Sequence, residues 1–313
     1  MFRHMLVPLD GSRLAEAVLP VTATLALALD AQVTLLHVVE PGAPPTVHGD
    51  VHLTQAGEAD GYLRGVAEAM AARGVRAAVA VGQGADVAGV IASRAAVLGT
   101  DLIVLCTHGR GGVRALLFGR VAEQVLARGT VPVLLMAPTA VRREQVWTVR
   151  RLLVPLDGSA MAEAALPAAT ALARALAAEV ALVMVVPTVA TIADDRATAA
   201  RLMPTAGAAL LDVEAEQAVT YLQGVKARLE QEGVRVAMAV ERGEPVRVLL
   251  DRLAGPDVDL LVMATHGRSG VSAVWAGSVA SRLVARSPRP VLLIRIPRGG
   301  DQAGLQSDLP RSG

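Results

Sequence analysis

The chain repeats itself. Val7–Ser12 and Val154–Ser159 both read VPLDGS, and Thr107–Arg110 and Thr265–Arg268 both read THGR. The two motifs keep their order, close apolar runs, and precede helix-like patterns. A chain that is one unit written twice folds as two copies of one architecture, so any site in one half has a counterpart in the other. The copies are offset by 147 at the first motif and by 158 at the second. His37–Val39 still aligns with Met184–Val186, whereas Tyr62-Leu63 aligns with Tyr221-Leu222. The loop from Pro187 to about Gly207 is therefore a longer version of Glu40 to Gly57.

Each copy alternates between period-2 apolar runs and helical patterns. In the first, strands are expected near Met5–Leu9, Gln32–Val39, Arg76–Val81, Asp101–Cys106 and Val133–Met136. Helices are expected near Leu14–Leu29, Glu58–Arg73, Asp86–Leu98 and Val113–Arg128. In the second, the strands fall near Arg151–Leu156, Glu179–Val186, Val234–Val240, Leu260–Ala264 and Val291–Arg295. Its helices fall near Ala162–Ala177, Ala208–Glu232, Pro245–Leu253 and Val271–Arg286. Alternating strand and helix predicts an α/β fold with a parallel sheet covered on both faces. The expected division is a first unit over 1–137, a linker over 138–149, a second unit over 150–296 and a flexible tail over 297–313.

Composition narrows the function classes. Hydrophobic residues make up 53% of the 313, and the excess of Ala, Val and Leu suits strands buried on both faces. The most apolar region, Ala164 to Ala193, is interrupted by Pro167, Arg174, Glu179 and Pro187, short of the roughly 20 apolar residues a spanning helix needs. No membrane role is expected. Met1–Pro8 lacks the pattern of a signal peptide, and the single cysteine, Cys106, excludes an internal disulfide, so a cytoplasmic location is expected. Net charge is +1 and aromatic residues are 2%, which argues against nucleic acid as a partner. Lys226 is the one lysine, so there is no P-loop lysine. An Ala- and Arg-rich chain with so little Lys fits a GC-rich bacterial genome.

In open α/β sheets ligands sit beyond the carboxyl ends of strands where strand order reverses. Asp10 and Asp157 close the first strands, and the THGR segments close the fourth; neighbouring first and fourth strands would bring them to one crevice. In the second half, Gly277-Ser278 opens a helix, offering free N–H groups, a hydroxyl and the positive end of a dipole, which suits a phosphate. Gly267 lets backbone approach a ligand closely.

These segments, in order and duplicated, resemble the universal stress proteins of the UspA type, in tandem form. The resemblance covers about residues 3–137 and 150–295. It includes the closing PVLL of Pro132–Leu135 and Pro290–Leu293. It implies two Rossmann-like (adenine nucleotide alpha hydrolase-like) units, each a five-stranded parallel sheet of order 3-2-1-4-5 with helices on both faces, and pairing of the two fifth strands within the chain. Nucleotide-binding members carry Gly-x2-Gly-x9-Gly-Ser/Thr on this loop. The resemblance thus implies ATP as ligand and allows Mg2+ with it; separately, two chains are expected to associate through exposed sheet or helix surfaces as a homodimer. Pro155 and Asp157 would approach adenosine, and the Val185 backbone would contact adenine. Met263, Ala264, His266, Gly267 and Arg268 would form the loop; Gly277, Ser278 and Val279 would hold ribose and phosphates.

The halves depart from the motif unequally. Ala264 replaces the first glycine in the second half, a small change. In the first half the matching set is Pro8, Asp10, Val38, Leu105, Cys106, His108, Gly109, Arg110, Gly119, Arg120 and Val121. Cys106 replaces the first glycine and Arg120 the Ser/Thr. Arg120 could bind phosphate or fold back on Glu123. The second half is expected to bind ATP, the first weakly or not at all.

Plainer readings stand beside these. DGS is a good turn and cap sequence. His108 and His266 suit loop ordering better than catalysis. His48 and His52 around Asp50 suit a solvated loop better than a metal site, Asp194-Asp195 a polar lid segment, and Cys106 a buried strand position. Three functions compete: a regulatory nucleotide-binding protein, a slow ATPase or self-phosphorylating enzyme, and a binding module for another ligand. No catalytic residue can be assigned, and the first is favoured because phosphoryl transfer needs a charge clamp and a positioned nucleophile.

Overall fold

The computed structural model describes residues 1–107, 119–140, 146–191, 204–266 and 279–296. The first half runs β1 (His4–Pro8), a 3-10 turn (Ala15–Val18), α1 (Leu19–Leu29), β2 (Gln32–Val39), β3 (Thr46–Val47), β4 (Asp50–Val51), α2 (Ala56–Ala71), β5 (Ala77–Gln83), α3 (Val87–Val97), β6 (Leu102–Cys106), α4 (Arg120–Arg128) and β7 (Val133–Met136). The second half runs β8 (Arg151–Leu156), α5 (Ala160–Glu163), α6 (Leu166–Leu176), β9 (Glu179–Val186), α7 (Pro204–Gln231), β10 (Arg235–Arg242), α8 (Pro245–Ala254), β11 (Leu260–His266), α9 (Val279–Arg286) and β12 (Val291–Ile296).

Ten strands form one sheet in the order β10-β9-β8-β11-β12-β7-β6-β1-β2-β5. Neighbours are parallel except at its centre, where β12 and β7 pair antiparallel with Leu292 opposite Leu134. With the β3–β4 hairpin set aside as a separate two-stranded sheet, each half presents its five remaining strands in the order third, second, first, fourth, fifth. Parallel strands covered on both faces are continuous apolar runs, as in β6, where all five residues are buried.

Two cores lie on the two faces of the sheet, and both cross the central seam. One packs α1, α2, α6 and α7 through Leu25, Leu63, Leu172 and Leu222. The other packs α3, α4, α8 and α9 through Ile91, Val125, Leu249 and Leu283. The connector between the halves joins the first: Trp147 and Val149 are buried, and the Thr24 hydroxyl donates to the Trp147 carbonyl at 2.9 Å.

Several boundaries differ from the sequence reading. The first helix of each half is broken, a 3-10 turn before α1 and the short α5 before α6. The cause is Pro20 and Pro167, which lack an N–H and fit only the first turn of a new helix. Helix α7 begins at Pro204 rather than Ala208, by the same preference, and β11 extends through His266. The segment around His48 and His52 is not a simple loop. β3 and β4 form a hairpin whose turn residues, His48 (φ 52°) and Gly49 (φ 89°), both have positive φ, the geometry a two-residue hairpin turn requires. The expected start of the fourth helix in each half, the Asp194-Asp195 segment and the 297–313 tail lie outside the described residues. Among the described residues no helix is long and apolar enough to cross a membrane.

Candidate functional site

The first and fourth strands of each half are neighbours. β8 pairs with β11 at Leu153 and Leu261, and carrying that register two residues on sets Pro155 beside Met263. β9 and β10 lie on one side of this junction, β11 and β12 on the other. This is the switch point at which an open α/β sheet forms its crevice. Met263 is buried and Ala264 half-buried near the end of β11, whose last residue is His266; Val185 is half-buried near the end of β9. Val279 is the first residue of α9, which has no acidic residue in its first turn. Gly267, Arg268, Gly277 and Ser278 lie outside the described residues.

In the first half Pro8 ends β1 and Cys106 ends β6, with Leu105 and Val38 buried. Gly119 precedes α4, and Arg120 and Val121 are that helix's first residues. Arg120 is exposed, and no ion pair joins it to Glu123. His108, Gly109 and Arg110 lie outside the described residues. Cys106 suits the plainer reading: burial first, and the nearby Asp10 charge second, push its thiol up to about 12, so it stays protonated and unreactive.

The two aspartates do hold turns. Asp157 Oδ1 accepts from the Ser159 N–H at 2.9 Å and from the Ser159 hydroxyl at 2.5 Å. Asp10 Oδ1 does the same with Ser12, at 2.9 and 2.6 Å. Each serine oxygen in turn accepts from a backbone N–H three residues on, the arrangement of an N-cap. Gly11 (φ 88°) and Gly158 (φ 82°) supply the left-handed step in these turns. The turn role leaves the second carboxylate oxygen over, and here the halves diverge. Asp157 is exposed. Asp10 is half-covered, with Oδ2 3.7 Å from His48 Nε2 on the β3–β4 hairpin.

That hairpin is fastened over the end of β1. Asp50 Oδ2 accepts from the Arg13 N–H at 2.9 Å. The buried His37 ring bridges the Leu9 and Leu53 carbonyls at 2.8 and 3.1 Å. His37 corresponds to Met184 in the second half. Sequence reasoning missed this cover because a turn between two-residue strands leaves almost no periodic signal; the His-Gly step between Val47 and Asp50 was the available cue. It missed Arg295 as well, a buried arginine within the apolar run of β12. The signal was the charge in VLLIRI where the first half reads VLLMAP. Among the described residues no group of three or more His, Cys, Asp or Glu could hold a metal ion.

Comparison with known proteins bears on the family and the fold. The model of the Usp family, "Universal stress protein family", matches residues 1–136 and 148–295. The universal stress protein MJ0531 of Methanocaldococcus jannaschii is 28% identical over 151 residues, 48% of this chain and 84% of the relative. YxiE of Bacillus subtilis is 28% identical over 146 residues, 46% of this chain and 98% of the relative. A universal stress protein structure from Archaeoglobus fulgidus superposes with a TM-score of 0.70 at 21% identity, covering 94% of this chain and 99% of that one. With both halves matched by the family model and the whole fold shared, the chain belongs to the universal stress protein family.

Proposed function

We propose that this protein is an ATP-binding regulatory protein of the stress response, with the intact site in its second half. The observation that carries the reading is the crevice between β8 and β11, where the exposed Asp157 stands across from the strand that leads into the Ala264-x2-Gly267-x9-Gly277-Ser278 segment. A carboxylate oxygen not used by its own turn accepts hydrogen bonds from ribose or base. A helix N-terminus at Val279 favours the phosphates. Pro155, Val185, Met263, His266 and Arg268 complete the set. Any Mg2+ would arrive on the phosphates.

The first half is the weaker site in this reading. His48 stands against Asp10 Oδ2, and Arg120 replaces the hydroxyl residue. Binding, rather than turnover, is the activity: the second-half set holds a cradle without an evident nucleophile or base. Bound nucleotide would bias the conformation of the loops around the crevice, and a second copy of the chain is the expected partner.

Mass spectrometry of nucleotide released on denaturing the purified protein tests the reading, followed by calorimetry with added ATP. About one ATP per chain is expected. Two would restore the first half as an equal site. Release of ADP together with turnover would favour an enzyme, and absence of both released nucleotide and measurable affinity would end the proposal. Light scattering at micromolar concentration should give a dimer; a monomer would reject the partner assignment.

A further inference from the structure

Arg295 lies on β12 and is only 6% exposed, yet its Nε and Nη1 have no hydrogen-bond partner among the described residues. No carboxylate among the described residues lies within ion-pair distance of it. Burial alone pushes its pKa down to about 10, so the group is still a cation at neutral pH. A buried charge without a counterion is strongly unfavourable, and a guanidinium presents five donors that match phosphate or carboxylate. The fold does not demand the residue, because the corresponding position in the first half is Ala137.

Its place on the sheet indicates which anion. Side chains alternate along a strand, and Val291 and Leu293 belong to the core that holds α8 and α9. Arg295, two residues further, is on that same face. It pairs in register with Thr265 at the carboxyl end of β11. Helix α9, running back along the sheet into β12, begins at this same end. On that face Glu244 pairs with Arg282 at 3.1 Å and Glu241 with Arg252.

We propose that Arg295 is an anion-binding residue that receives the phosphate chain of the ligand held at the carboxyl end of the second half's sheet. The proposal rests on the nucleotide reading above and adds to it. The second half would distinguish nucleotides by phosphate number through a strand residue outside the Gly-x9-Gly-Ser segment. The first half, with Ala137 just past the end of β7 and Arg120 at its helix start, would carry its cation elsewhere.

The test is calorimetry on the full-length protein with ATP, ADP, AMP and adenosine, for wild type, R295Q and R295K. For R295Q, ATP should bind about 10- to 100-fold more weakly, the equivalent of one charged hydrogen-bonding group, while adenosine affinity stays within about twofold. R295K should recover part of the preference. Equal losses for all four ligands, or an unchanged ATP affinity, would overturn the proposal and leave nucleotide binding standing. If the wild type binds none of the four, the nucleotide reading fails by itself. Thermal stabilisation by sodium tripolyphosphate then decides: a shift present in wild type and absent in R295M supports the anion site, and no shift, or an equal one, overturns it. R295M should fold at least as stably as wild type without ligand, since it removes an unpaired buried charge.

Discussion

His48 Nε2 lies 3.7 Å from Asp10 Oδ2, whereas Asp157, the same residue of the second VPLDGS, is exposed. Both carboxylates spend Oδ1 on their own turns, so the difference falls on the oxygen a ligand would use. D157A should therefore weaken ATP binding by about 10-fold or more, the loss of one charged hydrogen bond. D10A should change it less than about twofold. Titration calorimetry on the two variants checks this, and equal losses would mean that the hairpin does not exclude ligand from the first half.

The same hairpin makes the two DGS glycines unequal. Both have positive φ, so alanine at either is strained by about 1–2 kcal/mol. At Gly158 an added Cβ meets nothing within 4 Å, but at Gly11 it would stand 2.9 Å from Leu53 Cδ1. G11A should therefore lower unfolding free energy in urea by more than G158A. Equal effects would show that Leu53 yields freely.

The central seam should behave as core rather than as a contact between separable domains. Leu134 and Leu292 face each other across β7 and β12, each 1% exposed. L292A should cost about 2–5 kcal/mol, and the loss should appear in a transition shared by both halves. Two separated unfolding transitions in calorimetry, with only one moved by the substitution, would contradict this.

The features legible in the sequence were those carried by repetition and long periodicity. Duplicated VPLDGS and THGR marked the carboxyl ends of β1, β8, β6 and β11, and strand–helix alternation marked the α/β class. Three things were not legible. Pro20 and Pro167 fall inside runs whose pattern is helical throughout, yet each sits in the first turn of a new helix. The β3–β4 cover over Asp10 rests on short strands and carbonyl contacts to His37, which leave no periodic trace. Trp147, in a segment that reads as linker, is buried by tertiary packing on α1, which local pattern does not encode.

Glu163 and Tyr221 repeat in the second half the Glu16–Tyr62 hydrogen bond of the first, at 2.8 and 3.0 Å. To this pair the second half adds Arg228, 2.7 Å from Glu163, where the first half has Ala69. The hydrogen bond from Arg228 is the larger cause, and that from Tyr221 the smaller, holding the Glu163 carboxyl below its usual range. A carboxylate with a depressed folded pKa adds stability that is fully present above its unfolded value, about 4.3. That stability is lost as pH falls through the folded value. Arg228 is more than half exposed, so solvent screening limits the pair, and R228A should cost less than about 1 kcal/mol at pH 7. Urea denaturation at pH 7 and again below pH 4 should show the R228A deficit shrinking as Glu163 protonates. E163Q should lack this acid-dependent change. A deficit that is the same at both pH values would mean that Arg228 acts through packing of its stem on α7 rather than through its charge.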